Sequence, residues 1–301
     1  MLSRSWFMPW ERPLIEGVLL RRRERFLADV RLSDGTEVVA HCVNTGRMEG
    51  LTLPGRRAWI MERPAGAGKL RYTWMVAERP RGGTVDDRGG LIGADTSFPN
   101  RLVWKMLNEG VLPGHTREKF FRREVPWHDG RVDFWLGPDP MATRTSEPST
   151  KRRATLIEVK NCHLVYPDGH AYFPDSVSER ATKHLHSLLH AVRMGHRAEV
   201  LFVVQCGYAK ALRPSDAHDP VFAAALREVA KEGVRVRAIL ARPTLAGSEV
   251  TGLLRVDLAP YDVAPALRYR EMLRAEAPAW ERNPRIPRPP QGTLLQQRKP
   301  R

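Results

Sequence analysis

The sequence has 301 residues, 42% of them hydrophobic, three cysteines and a formal net charge of +15. The apolar content excludes a chain disordered throughout, the sparse cysteines exclude a disulfide-built scaffold, and no apolar run approaches the roughly 18 residues a membrane span needs. The length suits two domains or one large one, and the basic excess points to a polyanionic partner, nucleic acid before an anionic membrane.

Cys42, Cys162 and Cys206 are odd in number and form no Cys-x-x-Cys, which fits reduced thiols. Residues 1–12 hold no apolar stretch of the signal-peptide kind, so a cytoplasmic protein is expected.

From the amino end, residues 14–20, 26–32, 37–43, 57–61 and 71–77 read as short strands. They are punctuated by the basic run Arg21-Arg22-Arg23 and by turns at Asp34-Gly35 and Pro54-Gly55. Five short strands in so few residues predict a small antiparallel barrel of the OB type over residues 1–82. Such barrels bind oligonucleotides with aromatic and basic side chains, and Arg25, Phe26, Arg47, Trp59 and Trp74 are the candidates. Each aromatic residue taken singly is better read as barrel core.

Residues 80–90 are polar and Gly-rich, a linker. A helix follows, capped by Asn100, with Leu102, Val103, Met106 and Leu107 at helical spacing and Gly110 as its stop. Residues 120–125 and 131–136 read as strands across the turn His128-Asp129-Gly130, and 137–153 as a loop. The strand 156–161 comes next, then a loop over 165–173 and a helix opened by the capping box Ser176-Val177-Ser178-Glu179 and running to about residue 193. Residues 198–205 are a continuous apolar run, the mark of a buried central strand. Asp219-Pro220 opens another helix that stops at Gly233, and 234–240 is a strand. Residues 83–250 thus form an α/β (α+β) domain, a mixed sheet flanked by helices. Residues 251–301 read as a basic, Pro-rich extension, partly disordered, with one short helix over 264–275.

In a strand, Glu158 and Lys160 share one face with Leu156, while Ile157 and Val159 take the other. A carboxylate and an ammonium side by side, after a strand carrying the isolated carboxylate Asp133, outline a divalent-metal phosphodiesterase centre. Asp133 and Glu158 would hold Mg²⁺ or Mn²⁺, with Glu124 completing the shell. Lys160 would orient or deprotonate water, or neutralise the phosphate. Gln205 ends the buried strand near the same edge. A plain ion pair at a sheet edge explains Glu158 and Lys160 taken alone. Arg131, Arg180, Lys183 and His184 are candidates to face phosphates. His184, His186 and His190 also lie at spacings that can bind zinc, without an obvious third ligand, and Asp175 reads as a helix-start residue.

His41-Cys-Val-Asn-Thr-Gly-Arg-Met48, Phe98-Pro-Asn100, Arg131-Val-Asp-Phe134, Glu158-Val-Lys-Asn161 and Phe173-Pro-Asp175, followed by Glu179-Arg180 and Lys183-His184-Leu185, resemble the sugar fermentation stimulation protein family from about residue 14 to 245. The resemblance implies a DNA-binding protein with an OB-like domain and a restriction-endonuclease-like PD-(D/E)xK domain, and Asp133, Glu158 and Lys160 as its nuclease-type triad. Gly130 and Asp95 depart from the family pattern, while all three triad positions are present. The alternative function is non-catalytic binding, as a regulator of sugar metabolism genes.

Overall fold

The computed structural model describes residues 5–66, 68–79, 90–116, 120–137 and 153–276. The first strand, β1 (Trp6–Pro9), stands apart from those that follow. Strands β2 (Leu14–Arg23), β3 (Leu27–Leu32), β4 (Glu37–His41), β5 (Arg57–Glu62), β6 (Tyr72–Glu78) and β7 (Leu91–Gly93) form one sheet in the order β4-β3-β2-β5-β6-β7. Pairing of β4 with β6, Ala40 beside Tyr72 and His41 beside Thr73, closes the first five strands into an OB-like barrel. Every strand of that ring finds partners on both edges, so no long unpaired edge is left.

The basic run in β2 is split by the pleat. An irregularity between Leu19 and Arg21 shifts the register against β3 and turns Arg22 inward, where it is 2% exposed. Its guanidinium donates to the carbonyls of Arg25 (2.6 Å), Asn44 (2.6 Å) and Gly46 (2.9 Å), binding the β2–β3 turn to the loop after β4. Arg21 and Arg23 both pair with Asp29. Trp59 and Trp74 are 3% and 1% exposed and belong to the core, so neither offers a face to bases.

The large sheet contains β8 (Phe121–Trp127), β9 (Gly130–Leu136), β10 (Thr155–Cys162), β11 (Leu164–Val165), β12 (His170–Phe173), β13 (Arg197–Val204), β14 (Ala211–Pro214), β15 (Arg235–Pro243) and β16 (Gly247–Val256). Their order is β11-β12-β14-β16-β15-β13-β10-β9-β8. The centre, β10-β13-β15, is parallel, while β9 runs antiparallel to β10, and β8 antiparallel to β9. Helix α1 (Phe98–Asn108) covers one face, and α2 (Glu179–Arg193) and α3 (Pro220–Lys231) the other.

The period of two in β10 decides which residue meets which helix. Ile157 and Val159 join Leu102, Val103 and Met106 of α1, whereas Leu156 joins Leu185 and Leu188 of α2. Each such side chain contributes about 1.5–3 kcal/mol by leaving water. Glu158 and Lys160 follow Leu156 on the α2 face.

Several expectations are corrected. Residues 6–9 do not belong with the barrel: β1 pairs antiparallel with β16, Trp6 beside Val250 and Pro9 beside Gly247. Residues 251–256 are not extension but the end of β16, and α4 (Ala264–Glu276) packs through Ala266 and Leu273 against Leu164, Tyr166 and Tyr172. The loop expected over 165–173 contains the end of β11 and all of β12. Helix α1 begins after Ser97 with Pro99 in its first turn, so Asn100 lies inside the helix and does not cap it. Ser178, not Ser176, caps α2, accepting from the Ala181 amide at 3.2 Å. The expectations for residues 80–89, 138–152 and 277–301 lie outside the described residues. Among the described residues no helix is long and apolar enough to cross a membrane.

Candidate active site

Strands β9 and β10 part company in the middle of the sheet. Their ladder runs from Thr155 opposite Leu136 to Ile157 opposite Phe134 and then ends. The next amide of β10 facing that gap, Val159 N–H, donates instead to Asp133 Oδ2 at 2.7 Å. On the other side of β9 the ladder with β8 also skips the position where Glu124 stands opposite Asp133. Glu124 takes a φ of 54°, a left-handed conformation that costs a non-glycine residue roughly 1–2 kcal/mol. The sheet therefore opens at Asp133, and a carboxylate fills the opening.

Asp133 is held from both sides, because Asn100 Nδ2 of α1 donates to its Oδ1 at 2.8 Å. Burial, and then the neighbouring Glu158 charge, push its carboxyl up to about 6. Glu158 is 4% exposed. Burial pushes it up too, but Lys160 and His184 more than offset that and leave it below the usual carboxylate range. Lys160 Nζ donates to Glu158 Oε1 at 2.7 Å, and His184 Nδ1 makes a short contact with the same oxygen. Lys160 and His184 are themselves 3.3 Å apart.

These groups form the floor of a cleft of about 1170 Å³ between the β8–β9 hairpin and α2. Arg131 on the hairpin and Arg180 and Lys183 on α2 are exposed along its walls, with His128 and His186. The structure thus brings together Asp133, Glu158, Lys160, Glu124, Arg131, Arg180, Lys183 and His184. It does not bring Arg25, Phe26 and Arg47 there. Arg25 and Phe26 stand exposed at the β2–β3 turn and Arg47 is half-buried in the loop after β4.

Two roles change. His184 does not face a phosphate freely: it is engaged by Glu158, Lys160 and Arg180, whose Nε is 3.4 Å from His184 Nε2. Glu124 lines the cleft from an exposed position, and among the described residues no group of three or more His, Cys, Asp or Glu is gathered tightly enough to hold a metal ion. Nor do the histidines gather into a zinc site among the described residues: the His190 ring stands tilted 4.6 Å from His128 and packs on Trp127. Asp133 and Glu158 remain as two neighbouring hard-oxygen donors, a chemistry that suits a cation such as Mg²⁺, Mn²⁺ or Ca²⁺ and not a thiophilic one.

Asn100 is the residue that reading by sequence assigns wrongly. Its signal was present: Ser97 before Phe98-Pro99 marks a helix start with Pro in the first turn, which places Asn100 inside the helix. Gln205 is buried and donates to Asn161 Oδ1 (2.7 Å) and the Asp95 carbonyl (3.0 Å), tying the residue after Lys160 to the segment before α1. Asp175 accepts from the Met48 amide at 3.3 Å. A Cβ on Gly46 would lie 2.6 Å from its carboxylate, so a larger residue where the barrel loop approaches the start of α2 would push the Asp175 side chain aside.

Comparison with known proteins agrees with this architecture. Residues 20–85 match the SfsA N-terminal OB domain, and residues 97–247 match the sugar fermentation stimulation protein RE domain. A sugar fermentation stimulation protein homolog of Thioalkalivibrio sulfidiphilus is 40% identical over 253 residues, 83% of this chain and 98% of its own. The chain belongs to the sugar fermentation stimulation protein family. A second member, from Geobacter, is 39% identical over 238 residues, 79% of this chain and 94% of its own. A solved sugar fermentation stimulation protein, Pyrococcus furiosus SfsA in complex with Ca²⁺, superposes with a TM-score of 0.70 at 26% identity, covering 83% of this chain and 98% of that one.

Proposed function

We propose that this protein binds nucleic acid, DNA in the first instance, and hydrolyses its phosphodiester bonds in the cleft between α2 and the β8–β9 hairpin. The observation that carries the reading is the meeting of Asp133, Glu158 and Lys160 on the floor of a cleft whose rim bears Arg131, Arg180 and Lys183. Asp133 and Glu158 would hold Mg²⁺ or Mn²⁺, with waters filling the remaining positions. When bound, such an ion makes an attacking water more acidic and neutralises the phosphate. The solved relative from Pyrococcus furiosus was obtained with Ca²⁺, a cation with the same preference for oxygen.

The chain's own groups divide the remaining work. Asn100 and the Val159 amide fix both oxygens of Asp133. Lys160, once its ammonium turns from Glu158 to the phosphate, stabilises the charge that grows on the phosphoryl oxygens. Arg131, Arg180 and Lys183 attract the backbone without reading sequence. The barrel supplies a second surface through Arg25, Phe26 and Arg47.

A second reading, binding without cleavage by a regulator of sugar metabolism genes, is favoured by one feature: the Glu158 carboxylate is already satisfied by Lys160 and His184. The two readings part on one experiment. Full-length protein is incubated with labelled single- and double-stranded DNA, with Mg²⁺ or Mn²⁺ or with chelator, beside Asp133→Ala and Lys160→Ala. Hydrolysis predicts metal-dependent cleavage that falls about a hundredfold or more in each variant. Salt-sensitive binding that is equal in all three proteins, with no cleavage, would sink it.

A further inference from the structure

The cleft is walled at one end. The β8–β9 hairpin folds over onto α2, where Trp127 Nε1 donates to the Ser187 carbonyl at 3.2 Å and the His128 and His190 rings stand 4.6 Å apart. This contact is anchored in the core: Trp127 is 8% exposed and packs on Trp135 and His196 at 5.5 Å each. His128 adopts a φ of 48° at the bend that carries the hairpin to the helix. The basic residues Arg180 and Lys183 sit on the opposite half of α2, Arg180 about 10 Å along the helix from Ser187 at 1.5 Å per residue. The cleft volume, about 1170 Å³, is near the roughly 300–1,000 Å³ of pockets that hold one small molecule. That volume suits a few nucleotides of one strand, and the hairpin's contact with α2 bounds the cleft beside His128 and Ser187.

We infer that the cleft takes a single nucleic-acid strand end-first, the free end meeting the wall at His128 and His190 and the strand leaving along Lys183 and Arg180. The inference rests on the reading of the cleft as a nucleic-acid site. It adds that the substrate is a single-stranded terminus and that cleavage releases short products. In that step water's oxygen bonds to phosphorus, the ester P–O bond breaks, and water's proton ends on the leaving oxygen.

Binding and cleavage test this separately. In Ca²⁺, full-length protein is titrated with a short linear single-stranded oligonucleotide, the same oligonucleotide circularised, and a blunt duplex closed by hairpin loops, each as DNA and as RNA. The linear strand is expected to bind about tenfold or more tightly than the closed forms. Arg180→Ala with Lys183→Ala should abolish that preference, and His128→Ala with His190→Ala, which opens the wall but leaves Trp127 in place, should narrow it. Equal binding of linear and circular strands by the unmodified protein overturns the inference, as does a preference that survives loss of Arg180 and Lys183. A preserved end preference with no cleavage in Mn²⁺ removes the hydrolysis reading and the short products with it and leaves end-first binding standing, whereas no binding of any oligonucleotide removes both.

Discussion

Asp133 carries a charge that its surroundings oppose. Burial and the Glu158 carboxylate lift it from 3.8 to about 6. In the interval between those values the folded chain keeps a proton there that the unfolded chain has lost. Stability from this group is therefore complete below the lower value and is lost as pH rises through the upper one, a cost of at most about 3 kcal/mol at neutral pH. Asp133→Asn, with Asn100 turned to offer its carbonyl, should melt several degrees above the unmodified protein at about pH 7.5, and the gain should shrink by about pH 4.5. Differential scanning calorimetry at the two pH values reads this directly, and an equal gain at both contradicts the lifted carboxyl. The shared face of Glu158 and Lys160 was legible in the sequence because a strand puts alternate residues on one side whatever surrounds it. His184 was legible as a cleft residue but not as a partner of Glu158, since that contact joins β10 to α2. Arg22 was hidden for a different reason: one irregularity in β2 reverses which of three successive arginines points inward, and no pattern in Arg21-Arg22-Arg23 marks it.

At the scale of elements, the starts of α2 and α3 share one carboxylate. Asp219 Oδ1 accepts from the Phe222 amide at 2.9 Å, and its Oδ2 accepts from the Ser178 amide at 2.8 Å. Ser178 in turn caps α2. Loss of an ordinary N-cap costs about 1 kcal/mol, so Ser178→Ala should lose about that much. Asp219→Ala leaves two amide donors without acceptors at a site that is 2% exposed and should lose roughly 2 kcal/mol or more. Urea unfolding compares the two, and equal losses would contradict a shared cap. Asp219-Pro220 was visible in the sequence because cap and proline stand side by side. The strands β11, β12 and β14 were not, because segments of two to four residues show no usable period. They exist because they find partners in the sheet already built.

The whole molecule is joined at Glu49. This residue of the barrel domain is 6% exposed and receives His218 at 3.0 Å and Arg274 of α4 at 2.7 Å, with Arg270 at 3.7 Å. His218 is held in turn by Ser215 at 2.7 Å. Barrel, sheet and last helix thus meet on one carboxylate. Glu49→Ala would remove the shared acceptor of His218 and Arg274, a loss of roughly 1–3 kcal/mol. Arg274→Ala, at a side chain 35% exposed, should lose less. Denaturant midpoints of the two variants test that order. The sequence showed a short helix near 264–275 but nothing of its anchoring, which depends on a residue more than two hundred positions away. The pairing of β1 with β16 has the same long reach, and it orders events in time. A ribosome delivers Trp6–Pro9 more than two hundred residues before their partners Gly247–Val250. The barrel, complete once β6 has emerged, can close early as a unit. Strand β1 must stay unpaired until β16 has emerged, and the sheet that carries Asp133, Glu158 and Lys160 gains this strand only after its central strands have been made.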